Sequence, residues 1–312
     1  MIDLDDIRAA ARRIDGHVRR PPLMPASQFR DPICRGELHL KLECLQPSGS
    51  FKARGAASKL FASDPKAVER GLVAASGGNH GLAVARSAHL KGVPAHIFLP
   101  ENVQAEKVDK MRRWGAKAVI AGSNYDEANA GAIAHAEKTG ALYFHSFADP
   151  LIVAGQGTVG VEIFEDLESV DTVVIAVGGG GFITGAATAL KALKPTIRII
   201  GVEPVGSPTL HDSLRAGHVV TLDDITTRVP TMACRRTDDA LFAQTRQVVD
   251  EVVLVEDQAM ADAANQLWFE YGIAADLSGA AAIAALAIGK IRTENSEVVC
   301  APICGAGLPS DL

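Results

Sequence analysis

Short apolar runs alternate along this chain with longer stretches of helical period. The runs Gly71–Ala75, Ala95–Leu99, Ala118–Ile120, Thr172–Val177, Ile197–Val202, Val252–Val255 and Val298–Pro302 are of strand length and almost free of charge. A further strand is expected over Leu38–Glu43, where apolar and polar positions alternate. Such alternation of strand and helix predicts an α/β architecture of parallel twisted sheets covered by helices on both faces. No internal repeat or low-complexity linker interrupts the pattern, so domain boundaries have to come from chemistry.

Three of the strand-to-helix turns carry unusual residues. Asp171–Val177 reads as a buried strand that runs straight into Gly178, Gly179, Gly180 and Gly181, with a helix expected from about Phe182. Bare backbone N–H groups at a helix N-terminus form a nest suited to a phosphate. Glycine runs also serve tight turns and close packing, so this loop alone does not decide. A dinucleotide pattern could be laid over the same glycines, but the next strand ends in Glu203-Pro204, a poor ribose partner. The second turn, Ala75-Ser76-Gly77-Gly78-Asn79-His80-Gly81, lies between an apolar strand and the helical run Leu82–Leu90. Its Ser76, Asn79 and His80 side chains and its amides suit a carboxylate or a phenolic oxygen, although a plain helix cap would use the same residues. The third turn, Ser48-Gly49-Ser50-Phe51-Lys52, places a lysine where a strand gives way to a helix-favouring stretch. A lysine met alone in such a place is ordinarily solvated.

Together the turns resemble a known family. PSGSFKARGA (47–56), ASGGNHG (75–81), AGQGTVGVEI (154–163), VGGGGFITG (177–185) and VVCAPICGAG (298–307) follow one another in the order and spacing of pyridoxal-phosphate enzymes of the tryptophan-synthase-β fold group, fold type II. The likeness runs from about Ile7 to Gly307, and within the group the chain looks most like the serine/threonine dehydratases and their relative serine racemase.

The resemblance implies that Lys52 holds the aldehyde of pyridoxal 5'-phosphate as a Schiff base and then removes the substrate Cα proton. It further implies that Phe51 lies beside the cofactor, that Gly178, Gly179, Gly180 and Gly181 cradle the phosphate, and that Asn79 hydrogen-bonds the phenolic oxygen. Ser76, Asn79 and His80 would hold the substrate carboxylate. The cofactor acts as electron sink, and the protein supplies orientation and electrostatics. Cys304 stands where the family places a small polar side chain against the pyridine nitrogen. A thiol with an ordinary pKa of about 8.5 cannot keep that nitrogen protonated, which shortens the life of a carbanion and favours expulsion of a β-leaving group. The alternative for Cys304 is a small buried apolar role.

A racemase needs a second acid on the cofactor face opposite the lysine, and in the family's racemase a serine directly before Gly-Asn-His provides it. Gly77 stands there in this chain and cannot move a proton. Dehydration is therefore expected: L-threonine or L-serine loses its β-hydroxyl, assisted by the cofactor phosphate as acid, and yields a 2-oxo acid and ammonia. Racemisation and dehydration of 3-hydroxyaspartate are the alternatives that keep the cofactor. A non-catalytic nucleotide-binding protein is the reading most different in class.

Several departures from the family bear on substrate choice. Asp276-Leu277-Ser278-Gly279-Ala280 stands where relatives usually carry Glu-Pro-Ser-Gly-Ala, Val229–Arg236 differs from their Ala-Asp-Gly stretch, and His145-Ser146-Phe147 replaces their His-Pro start. Glu203 matches one carboxylate of a divalent-cation site, but Thr209 occupies the second place, so no metal is expected unless Asp212 restores the set. The family fold implies a small domain of residues 45–148 inserted into a large one formed by 1–44 and 149–312. Lys52 and the Asn79 turn would then face the glycine loop across a cleft. The chain stops at Leu312, so the regulatory domain of allosteric threonine dehydratases is not expected.

Composition agrees with this picture. At 312 residues with 47% hydrophobic content the chain can bury one large or two modest cores. A formal charge of -6 and the lack of a basic run with interleaved aromatics argue against nucleic acid as a partner. Cys34, Cys44, Cys234, Cys300 and Cys304 are scattered and odd in number, which suits a reducing cytoplasm, and no second pair completes a zinc site. The acidic opening is no signal peptide and no apolar run reaches spanning length, so no membrane partner is expected. A cytoplasmic homodimer acting on a small amino acid is the expectation.

Overall fold

The computed structural model describes residues 1–26, 28–101, 103 and 105–307. After helix α1 (Leu4–Ile14), strands β1 (Leu23–Pro25) and β2 (Glu37–Lys41) pair antiparallel. Helix α2 (Lys52–Ala62) and the short α3 (Pro65–Glu69) lead into a run of β3 (Leu72–Ala75), α4 (Asn79–Lys91), β4 (Ala95–Leu99), α5 (Ala105–Arg113), β5 (Lys117–Ile120), α6 (Tyr125–Thr139) and β6 (Leu142–Tyr143). These four strands form one parallel sheet in the order β5-β4-β3-β6. Helix α7 (Pro150–Asp166) then leads to β7 (Thr172–Ala176), α8 (Gly181–Leu193), β8 (Arg198–Pro204), α9 (Thr209–Ala216), α10 (Asp239–Val248), β9 (Glu251–Val255), α11 (Asp257–Tyr271), α12 (Leu277–Ala287) and β10 (Val298–Pro302). With β1 and β2 they make a six-stranded sheet, β1-β2-β10-β7-β8-β9, parallel except at the β1 edge.

The α/β class and the parallel sheets are as the sequence pattern predicts. β1 and β6, three and two residues long, are too short to carry a periodic signal. The strand expected over Leu38–Glu43 ends at Lys41, because Glu43 turns into a 3-10 segment whose buried carboxylate meets Arg54. Each sheet has its own buried cluster, with Val173, Ile175, Ile200 and Ile283 in one and Leu72, Val84, Ile97 and Met111 in the other.

Two packing features fix α2, the helix that Lys52 opens. Arg54, fully buried, donates from Nε and Nη2 to both oxygens of Glu43 at 2.8 and 2.7 Å, and from Nη1 and Nη2 to Glu162 on α7 at 2.6 and 2.8 Å. A buried guanidinium satisfied on both edges in this way tolerates little displacement. The second feature is close helix approach. A Cβ on Gly155 of α7 would stand 2.7 Å from Gly55 Cα of α2, and one on Gly160 would stand 2.4 Å from the Ala186 carbonyl of α8. Glycine inside a helix costs about 1 kcal/mol relative to alanine, so its presence here reflects that contact. Gly160→Ala should therefore lower stability by about 1–3 kcal/mol despite the better helix former. Urea unfolding midpoints test this, and a stabilised variant would contradict the packing account.

Candidate active site

The chain reaches Lys52 through a strained turn. Ser48 (φ 69°) and Gly49 (φ 82°) are both left-handed, and Ser48 is the single non-glycine residue in that region among the described residues. Such a conformation costs on the order of 1 kcal/mol or more and persists where its surroundings enforce it. Phe51 N–H donates to the Cys304 carbonyl at 3.2 Å, and the Phe51 ring stacks on Phe182 with centroids 4.1 Å apart. Lys52 Nζ donates to the Ser146 carbonyl at 2.7 Å and forms no ion pair among the described residues. Burial pulls its pKa down to about 8.

The glycine turn follows β7 directly, and α8 begins at Gly181, one residue before the expected start. Gly180 has φ 92°, which a side chain would strain. A Cβ on Gly179 would meet the Phe147 ring at 2.2 Å, and one on Gly181 would meet the Phe147 carbonyl at 2.4 Å. The N–H groups of Gly179, Gly180, Gly181 and Phe182 find no protein acceptor among the described residues, and no side chain caps the helix. An uncapped N-terminus of this kind suits an anion.

The second turn is built the same way. Helix α4 starts at Asn79, three residues earlier than the apolar run suggests, because Gly78 serves as its N-cap. Ser76 Oγ accepts the Gly78 N–H at 3.2 Å, while the N–H groups of Asn79 and His80 stay without a protein acceptor among the described residues. His80 Nε2 lies 3.0 Å from the Phe144 carbonyl, which can only accept, so Nε2 carries the proton and the buried Nδ1 keeps a lone pair. Burial, reinforced by the Lys52 charge, pulls the His80 pKa down to about 3. A neutral ring with a lone pair cannot donate to a carboxylate, so what His80 offers is its backbone N–H.

Asn79 Nδ2 donates to Asp276 Oδ2 at 2.9 Å. Asp276 caps α12 through Gly279 N–H at 2.6 Å and also accepts from Ser278 Oγ at 2.7 Å. Cys304 Sγ stands 3.9 Å from Ser278 Oγ, and burial pushes its thiol pKa well up, which keeps it protonated and neutral. One cavity of about 1190 Å³ is lined by every residue singled out from the sequence: Phe51 and Lys52, Ser76, Asn79 and His80, Gly178, Gly179, Gly180 and Gly181, and Cys304. Thus three turns far apart in sequence open on one space.

Similarity to known proteins extends over nearly the whole chain. The family model described as pyridoxal-phosphate dependent enzyme matches residues 14–305. The chain belongs to that family. It is 38% identical over 298 residues to an L-threonine ammonia-lyase of Thermotoga maritima, covering 96% of this chain and 74% of the relative. Its fold matches maize serine racemase with a TM-score of 0.93 at 33% identity, over 98% of this chain and 94% of that one. It matches a T.th. threonine deaminase with a TM-score of 0.90 at 34% identity, over 98% of both chains.

The residues present fit the family's cofactor. Unpartnered amides at the start of α8 would take a phosphate, the Lys52 amine, its pKa lowered by burial to about 8, an aldehyde, and the neutral Cys304 thiol a pyridine nitrogen. Among the described residues no group of three or more His, Cys, Asp or Glu is placed to hold a metal ion. Buried Glu203, whose pKa burial raises to about 8, spends its oxygens on the N–H groups of Leu210 and His211 at the start of α9.

Sequence reasoning missed Tyr125, and it met Ser146, Asp276 and Ser278 only as departures that bear on substrate choice, without their contacts. Tyr125 lines the cavity with its hydroxyl 3.2 Å from Ser146 Oγ. The Asp at the head of Asp276-Leu277-Ser278-Gly279 does carry a readable cap signal. Because Lys52 titrates near pH 8, uptake of pyridoxal phosphate by cofactor-free protein should accelerate through a midpoint near pH 8 as the ammonium loses its proton. Stopped-flow absorbance checks this, and a rate flat from about pH 6 to 9 would show that the amine is not the group that reacts.

Proposed function

We propose that this chain is a pyridoxal-phosphate-dependent ammonia-lyase that removes water from a small β-hydroxy amino acid, such as L-threonine or L-serine, and releases a 2-oxo acid and ammonia. The carrying observation is the Lys52 amine, with its pKa near 8, opening on the same cavity as the unpartnered amides of two helix N-termini. The similar proteins named threonine ammonia-lyase and threonine deaminase support the same reaction.

Bound pyridoxal phosphate supplies a conjugated ring that takes up the electron pair left when the substrate Cα–H bond breaks. The amides that open α8 would hold its phosphate, and those that open α4 would hold the substrate carboxylate, each favoured by the positive helix end. Lys52 Nζ would accept the Cα proton, with the Ser146 carbonyl holding one N–H and so aiming the lone pair. Cys304, neutral and buried, offers no charge to keep a ring nitrogen protonated, which favours loss of the β-hydroxyl over return of the proton to Cα. Gly77 offers no proton donor opposite Lys52, which weighs against racemisation.

A second reading, dehydration of 3-hydroxyaspartate, draws on Arg235. This residue lines the cavity, donates from Nε to the Leu222 carbonyl at 2.8 Å and has no ion-pair partner among the described residues. Its remaining guanidinium edge would suit a second substrate carboxylate. The division into residues 45–148 and 1–44 with 149–312 belongs to the proposal, supported by the separate sheets and cores. A cytoplasmic location belongs to it as well, supported by five cysteines that are all free thiols, and so does a homodimer.

Incubation with L-threonine, L-serine and L-3-hydroxyaspartate, followed by assay of 2-oxo acid and of the chirality of the remaining substrate, tests the reaction. Oxo acid from threonine or serine is expected, with the remainder still L, and Lys52→Ala should lower the rate by about 10³-fold. Racemised substrate without oxo acid would defeat the assignment. Borohydride reduction followed by peptide mass spectrometry should place the cofactor on Lys52.

A further inference from the structure

Asp276 takes part in none of the steps above, yet it touches three parts of the site. Oδ2 accepts from Asn79 Nδ2 at 2.9 Å, while Oδ1 accepts from Ser278 Oγ at 2.7 Å and from Gly279 N–H at 2.6 Å. Its backbone N–H donates to the Gly305 carbonyl at 2.9 Å. Gly305 also makes room for the pair, since a Cβ there would stand 2.4 Å from Asp276 Oδ2 and 2.8 Å from Asn79 Nδ2. An ionised carboxylate only accepts, so the Asn79 amide must turn its NH2 group toward Asp276, and one N–H of that group remains free.

We propose that Asp276 is a positioning residue: by fixing the Asn79 amide it aims the free N–H at the phenolic oxygen of the bound cofactor. The proposal rests on the reading that Asn79 faces that oxygen. An aspartate serves both ends of this contact. It is short enough to cap α12 with one oxygen and still reach Asn79 with the other, whereas a glutamate would make a poorer N-cap.

The test uses the holoenzyme and reads the visible absorbance of the cofactor. Asp276→Asn keeps the shape and an N-cap oxygen but turns a donor toward Asn79, so the Asn79 amide has to turn over. The pH midpoint of the absorbance should move by about one unit, and cofactor retention in equilibrium dialysis should weaken by roughly tenfold. In an Asn79→Ala background, Asp276→Asn should add no further spectral change, because two residues acting through one contact are not additive. Asp276→Glu keeps an acceptor and loses the cap, so it should lower the melting temperature while holding the midpoint.

An unmoved midpoint in Asp276→Asn, or an equal extra shift in the Asn79→Ala background, overturns the proposal. If Asp276→Asn does not fold, Asp276→Glu carries the test, and a midpoint displaced as far as in Asn79→Ala overturns it. If Asn79→Ala alone leaves the spectrum unchanged, the reading of Asn79 is what fails and the proposal falls with it.

Discussion

Where the chain leaves β10, main-chain hydrogen bonds hold it from two sides. On one side Phe51 N–H donates to the Cys304 carbonyl at 3.2 Å, and Ala306 N–H donates to the Gly49 carbonyl at 2.7 Å. On the other, Asp276 N–H donates to the Gly305 carbonyl at 2.9 Å, and Gly307 N–H donates to the Ala274 carbonyl at 3.2 Å. The segment from Cys304 to Gly307 is thus a strap between the Lys52 turn and the head of α12. It explains why the left-handed pair Ser48-Gly49 persists: the turn is pinned at both ends by backbone contacts that do not depend on any side chain. It also explains the demand for small residues in the strap, since at Gly305 a Cβ would strike the Asn79–Asp276 contact.

Around Lys52, burial drives several titratable groups of the cavity toward their neutral forms. It lowers Lys52 to about 8 and His80 to about 3, and it raises the thiol of Cys234 to about 12. The charged forms of all three are penalised by the same loss of solvent. At the starts of α4 and α8 the polarity comes from backbone N–H groups, dipoles that need no counter-charge and do not reorganise. Such a site suits anions on a ligand while bringing the Lys52 amine within reach of its neutral form near pH 8.

Much of this was legible because each of the three turns that line the cavity is contiguous in sequence. Lys52, the Asn79 turn and the tetraglycine run each sit between an apolar strand and a helix, so pattern alone located them, and their order identified the family. What pattern could not supply are contacts between distant positions. Ser146 reaches Lys52 across 94 positions through a carbonyl, a group every residue has, and Asn79 meets Asp276 across 197. The imidazole of His80 was foreseen as a donor because residue type shows chemistry but not tautomer, which here is set by the Phe144 carbonyl. Helix starts at Asn79 and Gly181 precede the apolar periods because glycine caps carry no hydrophobic signal.

The contact at Asp276 has a counterpart elsewhere in the molecule. Asp149 caps α7 through Leu151 N–H at 2.9 Å, and its other oxygen pairs with Lys59 on α2, whose ammonium also donates to the Tyr143 carbonyl at 2.6 Å. In both places a helix cap uses one carboxylate oxygen and leaves the second for a residue from a different part of the chain. An N-cap is worth about 0.5–2 kcal/mol and a hydrogen bond to a charged group about 1.5–3 kcal/mol, so each aspartate couples a local and a distant contact of similar size. Losing either carboxylate therefore frays a helix and frees a partner together. The consequence is that the segments carrying Lys59 and Asn79, one on the helix that Lys52 opens and one at the start of α4, are each tied to a helix end. The geometry of the cavity is thereby set by the same residues that make α7 and α12 begin where they do.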